Sequence, residues 1–312
     1  MKDITTHIQK TLDTLYPTEE IKSFSRLILS HICGLSYSQQ ILHKDKQICE
    51  KEKNEIYSIV NRLKEMEPLQ YILGETEFYS LPMKVNPSVL IPRPETEELV
   101  DIIIKTALQK NSLSKIHNTG TFIKQDEISP ANVLNRPPLR ILDIGSGSGC
   151  IAISLAKHIP DSIVTAIDIS DTALQTAEEN ARLNNVNIRF IHVDILNITK
   201  ATEMTTGDFD IIVSNPPYVT NKEKDLMNEN VINYEPHRAL FVPDDNPLLF
   251  YDAIADFALK KLSPEGMLYF EINANYDMET NEMLHKKGFA STEVISDLSG
   301  KNRFISVKNK NL

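Results

Sequence analysis

Over the first seventy residues apolar side chains recur at three- and four-residue steps: Ile4, Ile8, Leu12 and Leu15, then Phe24, Leu27, Ile28 and Ile32, then Ile56, Ile59, Val60, Leu63 and Met66. That spacing puts one apolar stripe on each of several helices and predicts a small helical bundle over 1–70. From Gln70 to Pro94 the punctuation changes. Gly74, Pro82, Pro87, Pro92 and Pro94 separate short β-rich pieces, Glu77–Tyr79 and Val89–Ile91, which predicts a β-hairpin linker over 71–94. Glu95 to Lys110 is amphipathic again, with Leu99, Val100, Ile103 and Leu108 on one side. Gln109 to Pro138 has no period, the pattern of an exposed loop over 109–138.

After Pro138 strand and helix patterns alternate. Apolar strands fall at Arg140–Ile144, Ile163–Ile167, Ile188–Val193, Asp210–Val213 and Met267–Ile272, with helices at about 151–158, 172–184 and 248–262. Such alternation predicts an α/β domain over 95–312, a parallel sheet covered by helices on both faces. Ser170 and Asp171 stand where helix 172–184 needs a cap, and Asn246-Pro247 offers a cap followed by a first-turn proline. The tail differs: the short turn between Ser291–Ile295 and Arg303–Val307 leaves no room for a crossover helix, so those two strands are antiparallel.

Composition narrows the function. A chain of 312 residues is long enough for two domains, and its ordinary share of hydrophobic residues, 41%, argues for packed units and against disorder. Residues 1–70 carry ten basic and ten acidic side chains, so the whole formal charge of −10 falls on 71–312. That excludes the basic footprint of a nucleic-acid binder. Cys33, Cys49 and Cys150 are scattered, without CxxC or Cys/His ligand spacing, which predicts reduced thiols and no metal site. Polar residues run through the N-terminal MKDITTHIQKTLDTLY, and no apolar run approaches the roughly 18 residues of a membrane helix. A soluble, cytoplasmic protein is expected.

Three motifs carry chemistry. Asp143-Ile144-Gly145-Ser146-Gly147-Ser148-Gly149 ends the first strand of the α/β region and opens a helix, where glycines let the backbone turn tightly and let a ligand approach main-chain amides. Its G-x-G-x-G spacing departs from the dinucleotide fingerprint, since Cys150 stands where the third glycine belongs, so a pyrophosphate cradle is disfavoured. Asp168 ends the second strand nineteen residues after Gly149, placed either to take ribose hydroxyls or to cap the next helix; following the glycine loop, the ribose role is the stronger reading. Asp194-Ile195, after the third strand, reads as an adenine contact or as an ordinary turn.

The third motif is Asn215-Pro216-Pro217-Tyr218, directly after the strand Phe209–Val213. Chance supplies this tetrapeptide on the order of 10⁻³ times in such a chain. Its prolines stiffen the turn, and its place at a strand's carboxyl end is where doubly wound sheets bind ligands. Rigidity aims two acceptors, the Asn215 side-chain oxygen and the Pro216 carbonyl, at the two hydrogens of a planar NH₂ group, with Tyr218 packed against its face. Such a nitrogen is a poor nucleophile and needs a strong electrophile. A sulfonium methyl donor, S-adenosylmethionine, fits an adenine, ribose and amino-acid site without a phosphate cradle.

These residues resemble class I S-adenosylmethionine-dependent methyltransferases, and within them the release factor glutamine methyltransferase family. The stretches that carry the resemblance are Pro68–Gly74 (PLQYILG), Val89–Glu97 (VLIPRPETE), Asp143–Ile151, Ile212–Tyr218, Glu235-Pro236 and Ala239-Leu240. The resemblance implies a seven-stranded Rossmann-like methyltransferase domain after a helical substrate-docking domain and a β-hairpin linker. It implies methylation of the side-chain amide of the glutamine in the Gly-Gly-Gln motif of class 1 peptide chain release factors. By motif position Gly145 to Gly149 hold the methionine part of the cofactor, Asp168 the ribose and Asp194-Ile195 the adenine region. Asn215 to Tyr218 hold the glutamine amide, with Asn215 also near the cofactor, and Arg93 contacts the cofactor or fixes the linker.

Two features depart from the family pattern: the long polar stretch 109–138, and Asn273-Ala274-Asn275 where a glycine and then a glutamine are expected after Glu271-Ile272. A DNA adenine or ribosomal RNA guanine amino-methyltransferase would use nearly the same motif, but the acidic balance of 71–312 stands against it. A chain that binds the cofactor without transferring methyl would have no need of an intact Asn215–Tyr218.

Overall fold

The computed structural model describes residues 1–117 and 137–309. Five helices come first: α1 (Lys2–Leu12), α2 (Thr18–Cys33), α3 (Tyr37–Leu42), α4 (Glu50–Lys64) and α5 (Leu69–Leu73). Their stripes meet in one core of Ile4, Ile8, Leu12, Ile28, Ile56, Val60 and Leu63. Leu15 and Leu27, which share the three- and four-residue spacing, are exposed instead. Leu15 lies beyond the end of α1 and Leu27 on the outer side of α2, beside the buried Ile28 and Leu29. The Tyr16 hydroxyl donates to the Leu63 carbonyl at 2.8 Å, tying the α1–α2 corner to α4.

After Gly74 the strands β1 (Glu75–Phe78) and β2 (Leu81–Lys84) form an antiparallel hairpin. Tyr79 and Ser80 turn it with φ of +50° and +59°, the left-handed backbone that two-residue hairpin loops use. Val89–Ile91 is irregular and not a strand, because the flanking Pro87, Pro92 and Pro94 withhold the donors that a ladder needs. It packs all the same: Val89 and Ile91 are buried, and Tyr71 donates its hydroxyl to the Val89 carbonyl at 2.6 Å.

Helix α6 runs over Pro94–His117, so residues 109–117 of the expected loop are helical. The stretch has no glycine or proline, and polar helix formers continue a helix begun by its apolar stripe. Residues 118–136 of that loop lie outside the described residues.

The remainder alternates as expected: β3 (Leu139–Ile144), α7 (Cys150–His158), β4 (Ser162–Asp168), α8 (Asp171–Leu183), β5 (Ile188–His192), α9 (Ile198–Met204), β6 (Phe209–Ser214), the short β7 (Val219–Thr220), α10 (Glu229–Tyr234), β8 (Phe241–Val242), α11 (Leu249–Lys261), β9 (Leu262–Glu271), α12 (Asp277–Lys287), β10 (Ser291–Ser296) and β11 (Asn302–Lys308). Seven strands form one sheet in the order β10-β11-β9-β6-β3-β4-β5, with β11 antiparallel to both β9 and β10. Alternate side chains of each strand enter opposite layers. Leu142, Ile212 and Leu268 pack with α11 and α12, whereas Ile141, Ile211 and Tyr269 pack with α6, α7 and the hairpin's Phe78 and Met83. Ser170 caps α8, accepting from the Ala173 amide. Asn246-Pro247 does not cap α11 with a side chain: the helix starts at Leu249, whose amide donates to the Asn246 carbonyl in a turn that precedes it.

Asn180 of α8 joins three pieces. Its Oδ1 accepts from the Lys84 amide at 2.6 Å, and its Nδ2 donates to the carbonyls of Lys84 and Ser148, both at 2.9 Å. Asn184, one turn on, donates to the Pro82 carbonyl. Among the described residues no helix is long and apolar enough to cross a membrane.

Candidate active site

The sheet reverses its winding at β3, which has β4 on one side and β6 on the other, and a crevice opens outside the carboxyl ends there. It is a cavity of about 590 Å³. Gly145, Ser146, Gly147 and Ser148 after β3, Asp168 at the end of β4 and Asp194 with Ile195 after β5 line one part of it. Asn215, Pro216 and Pro217 after β6 line another. Gly149 and Tyr218 are not in its wall.

Gly145, Gly147 and Gly149 sit at φ of +73°, +54° and +81°, where a side chain is strained. A Cβ on Gly145 or Gly147 would meet no atom within 4 Å, but one on Gly149 would lie 3.0 Å from the Ala177 Cβ. The first two leave room beside the cavity; the third lets α7 approach α8. Four amides of this turn are engaged within the protein. Those of Gly145 and Ser146 donate to the Ile167 carbonyl, that of Gly147 to Asp168 Oδ2 at 2.8 Å, and that of Gly149 to the Ser146 carbonyl. The three glycine amides are thus committed within the protein, and what the glycines themselves add beside the cavity is space. Two buried oxygens, Ser146 Oγ and Asp143 Oδ1, have no hydrogen-bond partner among the described residues; Ser146 lines the cavity.

Asp168 accepts from the Gly147 amide on Oδ2 and from the Ser170 amide on Oδ1, each at 2.8 Å. Since Ser170 is the cap of α8, Asp168 is released from that duty and ties the glycine turn to the end of β4. Burial pushes its carboxyl upward, and the amide donors oppose that. Asp194 accepts from the Leu196 amide on Oδ1, while α9 is capped by Asn197. Arg93 donates to Glu235 Oε1 at 2.7 Å, and the Ile91 amide reaches the other oxygen of that buried carboxylate. Arg93 thus fixes the linker to the segment before β8, and it also lines the cavity.

At the Asn-Pro-Pro corner, Asn215 Nδ2 donates to Thr96 Oγ1 at 3.1 Å. Thr96, in the first turn of α6, donates to Glu271 Oε2 at 2.7 Å, and the Tyr218 hydroxyl donates to Oε1 of the same carboxylate at 3.0 Å. Burial raises the Glu271 carboxyl, against the two hydroxyls and the nearby Arg303; burial beside that carboxylate raises Tyr218 strongly. Asn273 stands where the family pattern has glycine, with an ordinary φ of −71°, and donates to the Tyr218 carbonyl and to Glu223. A side chain thereby holds the turn against the corner. Thr96 and Glu271 received no role from the sequence, although an acidic residue closing the apolar run Met267–Phe270 was a visible sign.

Comparison with known proteins agrees with this architecture. The family model "Methyltransferase small domain" matches residues 131–239, and "PrmC N-terminal domain" matches 3–74. The release factor glutamine methyltransferase of Flavobacterium psychrophilum is 45% identical over 98% of this chain and 98% of its own. That of Bacteroides thetaiotaomicron is 40% identical over 98% and 99%. That of Lactococcus lactis is 39% identical over 84% and 85%. With such identity along nearly its whole length, the chain belongs to the release factor glutamine methyltransferase family.

Proposed function

We propose that the chain transfers a methyl group from S-adenosylmethionine to the side-chain amide nitrogen of the glutamine in the Gly-Gly-Gln motif of class 1 peptide chain release factors. The observation that carries this reading is a single cavity joining the glycine turn, two acidic strand ends and the Asn215-Pro216-Pro217 corner. The residues suit the cofactor: Ser146 Oγ, in the cavity wall, lacks a partner among the described residues, and the open space at Gly145 and Gly147 admits the methionine part. Bound there, S-adenosylmethionine supplies an electrophilic methyl on a sulfonium.

In this reading Gly145, Ser146, Gly147 and Ser148 hold the amino-acid end, and Gly149 keeps the turn tight against α8. Each oxygen of Asp168 already accepts one amide and keeps a lone pair for a ribose hydroxyl. Asp194 and Ile195 flank the adenine. Asn215 Oδ1 and the Pro216 carbonyl accept the two hydrogens of the glutamine amide, so that positive charge developing on its nitrogen meets two preorganised dipoles. Pro217 stiffens the corner, and Tyr218, held by Glu271, packs behind it.

The helical unit 1–70 contributes nothing to the cavity wall and serves to dock the release factor, 71–94 links it, and 95–312 carries out the transfer. A translation factor as substrate places the enzyme in the cytoplasm, and the acidity of 71–312 leaves it without a DNA-binding role. The test is transfer of labelled methyl to purified release factor, to its Gly-Gly-Gln glutamine variant and to duplex DNA. Label on the unaltered factor alone supports the reading; label on the glutamine variant or on DNA refutes it.

A further inference from the structure

Glu271 is a buried carboxylate to which the transfer chemistry assigns no task. It ends β9, beside β6 in the sheet; Asn215 directly follows β6, and Thr96 in the first turn of α6 lies between them. Both Glu271 and Thr96 are 2% exposed. The three side chains form one hydrogen-bonded series, Asn215 to Thr96 to Glu271, and donor and acceptor roles along it are forced in one direction.

A carboxylate only accepts. Two hydroxyls reach this one, Tyr218 on Oε1 and Thr96 on Oε2. A hydroxyl has one proton, and that of Thr96 is committed to Glu271, so Thr96 Oγ1 has only lone pairs to offer Asn215. Of the two ends of the Asn215 amide, only Nδ2 can donate to them, and it does so at 3.1 Å. The other end, Oδ1, has no hydrogen-bond partner among the described residues and belongs to a residue of the cavity wall. Turning the amide by half a revolution would set Oδ1 against the Thr96 lone pairs with no proton between them, and would offer an NH₂ to a substrate NH₂.

We propose that Thr96 and Glu271 are positioning residues that fix which end of the Asn215 amide faces the substrate, making the site an acceptor for an amino or amide NH₂. The assignment rests on the methyl-transfer reading for its consequence in catalysis, but the amide orientation itself belongs to the protein alone. One buried carboxylate, two hydrogen bonds from Asn215 and three from the substrate, thus sets the hydrogen-bonding polarity of the pocket.

The experiment compares full-length Thr96→Val, which keeps the shape and loses the hydroxyl, with Thr96→Ser, which keeps the hydroxyl. The expected result for T96V is a fall in kcat of about tenfold or more, with the Kd for S-adenosylmethionine within about twofold of the unaltered enzyme. T96S should retain activity. Selective ¹⁵N labelling of asparagine, read without substrate, should show one Asn215 Nδ2 proton protected from exchange in the unaltered protein and in T96S, and unprotected in T96V. Glu271→Gln, whose NH₂ can donate toward Thr96 and reverse the series, is a second route to the same loss of kcat and of protection. Unchanged kcat and protection in T96V, or equal impairment of T96V and T96S, would overturn the proposal. If the unaltered enzyme fails to label release factor, the substrate reading falls, while the exchange measurement still decides the positioning role.

Discussion

Gly145 and Gly149 share a backbone conformation but differ in what surrounds them, and replacing each by alanine separates the two reasons for a glycine. Both lie at positive φ, +73° and +81°, so each variant carries a conformational cost of about 1–2 kcal/mol. At Gly145 nothing else is added, because a Cβ there has no atom within 4 Å. At Gly149 the new methyl would stand 3.0 Å from the Ala177 Cβ, 3.1 Å from Ile153 Cδ1 and 3.3 Å from the Ala177 Cα. Two of those atoms lie on or next to the α8 backbone and cannot swing aside, which adds about 1–3 kcal/mol of overpacking. The expected totals are about 1–2 kcal/mol for Gly145→Ala and about 2–5 kcal/mol for Gly149→Ala. At about 2–4 °C per kcal/mol, Gly149→Ala should unfold at least a few degrees below Gly145→Ala in thermal scans of the unliganded protein followed by circular dichroism. Calorimetric titration should show the converse for the cofactor, since the Gly145 methyl takes up cavity space: weaker binding of S-adenosylmethionine than in the unaltered enzyme. Equal unfolding temperatures for the two variants would refute the division between space for a ligand and space for a helix.

Asn215→Ala should lower kcat by about 10²–10³ while the Kd for S-adenosylmethionine, measured by titration calorimetry, changes little, because it removes an acceptor that acts on the developing charge. Burial pushes the Asp143 carboxyl up to about 7, above its unfolded value, so the folded state holds its proton more tightly and stability falls as pH rises from about 4 toward 7. Asp143→Asn, which can still accept from the Ala152 amide, should flatten that part of the Tm-versus-pH curve; an unchanged slope would rule Asp143 out as its source. Arg93→Ala leaves the Glu235 carboxylate buried without its cation and should destabilise by about 3–5 kcal/mol, whereas Glu235→Gln, which removes the charge itself, should cost less in urea unfolding.

What the sequence disclosed follows from which forces are local. The order of strands and helices was legible because each apolar run reports burial of its own residues, and the antiparallel tail because a short turn leaves one geometry. Where elements stop was less legible. α6 continues through the polar 109–117 because nothing there breaks a helix, and Val89–Ile91 looked like a strand because its burial comes from packing and not from a ladder. In the site, Asn215 and Asp168 were visible as motif residues at strand ends. The commitment of the glycine-turn amides to Ile167 and Asp168 was not, since those partners arrive from β4. Thr96 and Glu271 stayed silent for the same reason: they are 175 residues apart and meet only when α6 is laid beside β9.

The fastening of the hairpin to α8 by Asn180 and Asn184 bears on how this enzyme can be taken apart and recombined. Although the hairpin directly follows the helical unit in the chain, its backbone is bonded to the same asparagine that bonds the glycine turn. The seam for exchanging helical units between relatives therefore lies at Gly74. A chimera joined at that glycine keeps the hairpin with its own asparagines and needs from the incoming unit a tyrosine at position 71 for the Val89 carbonyl, whereas one joined after Lys84 also replaces the backbone that Asn180 and Asn184 hold, at the floor of the cofactor site.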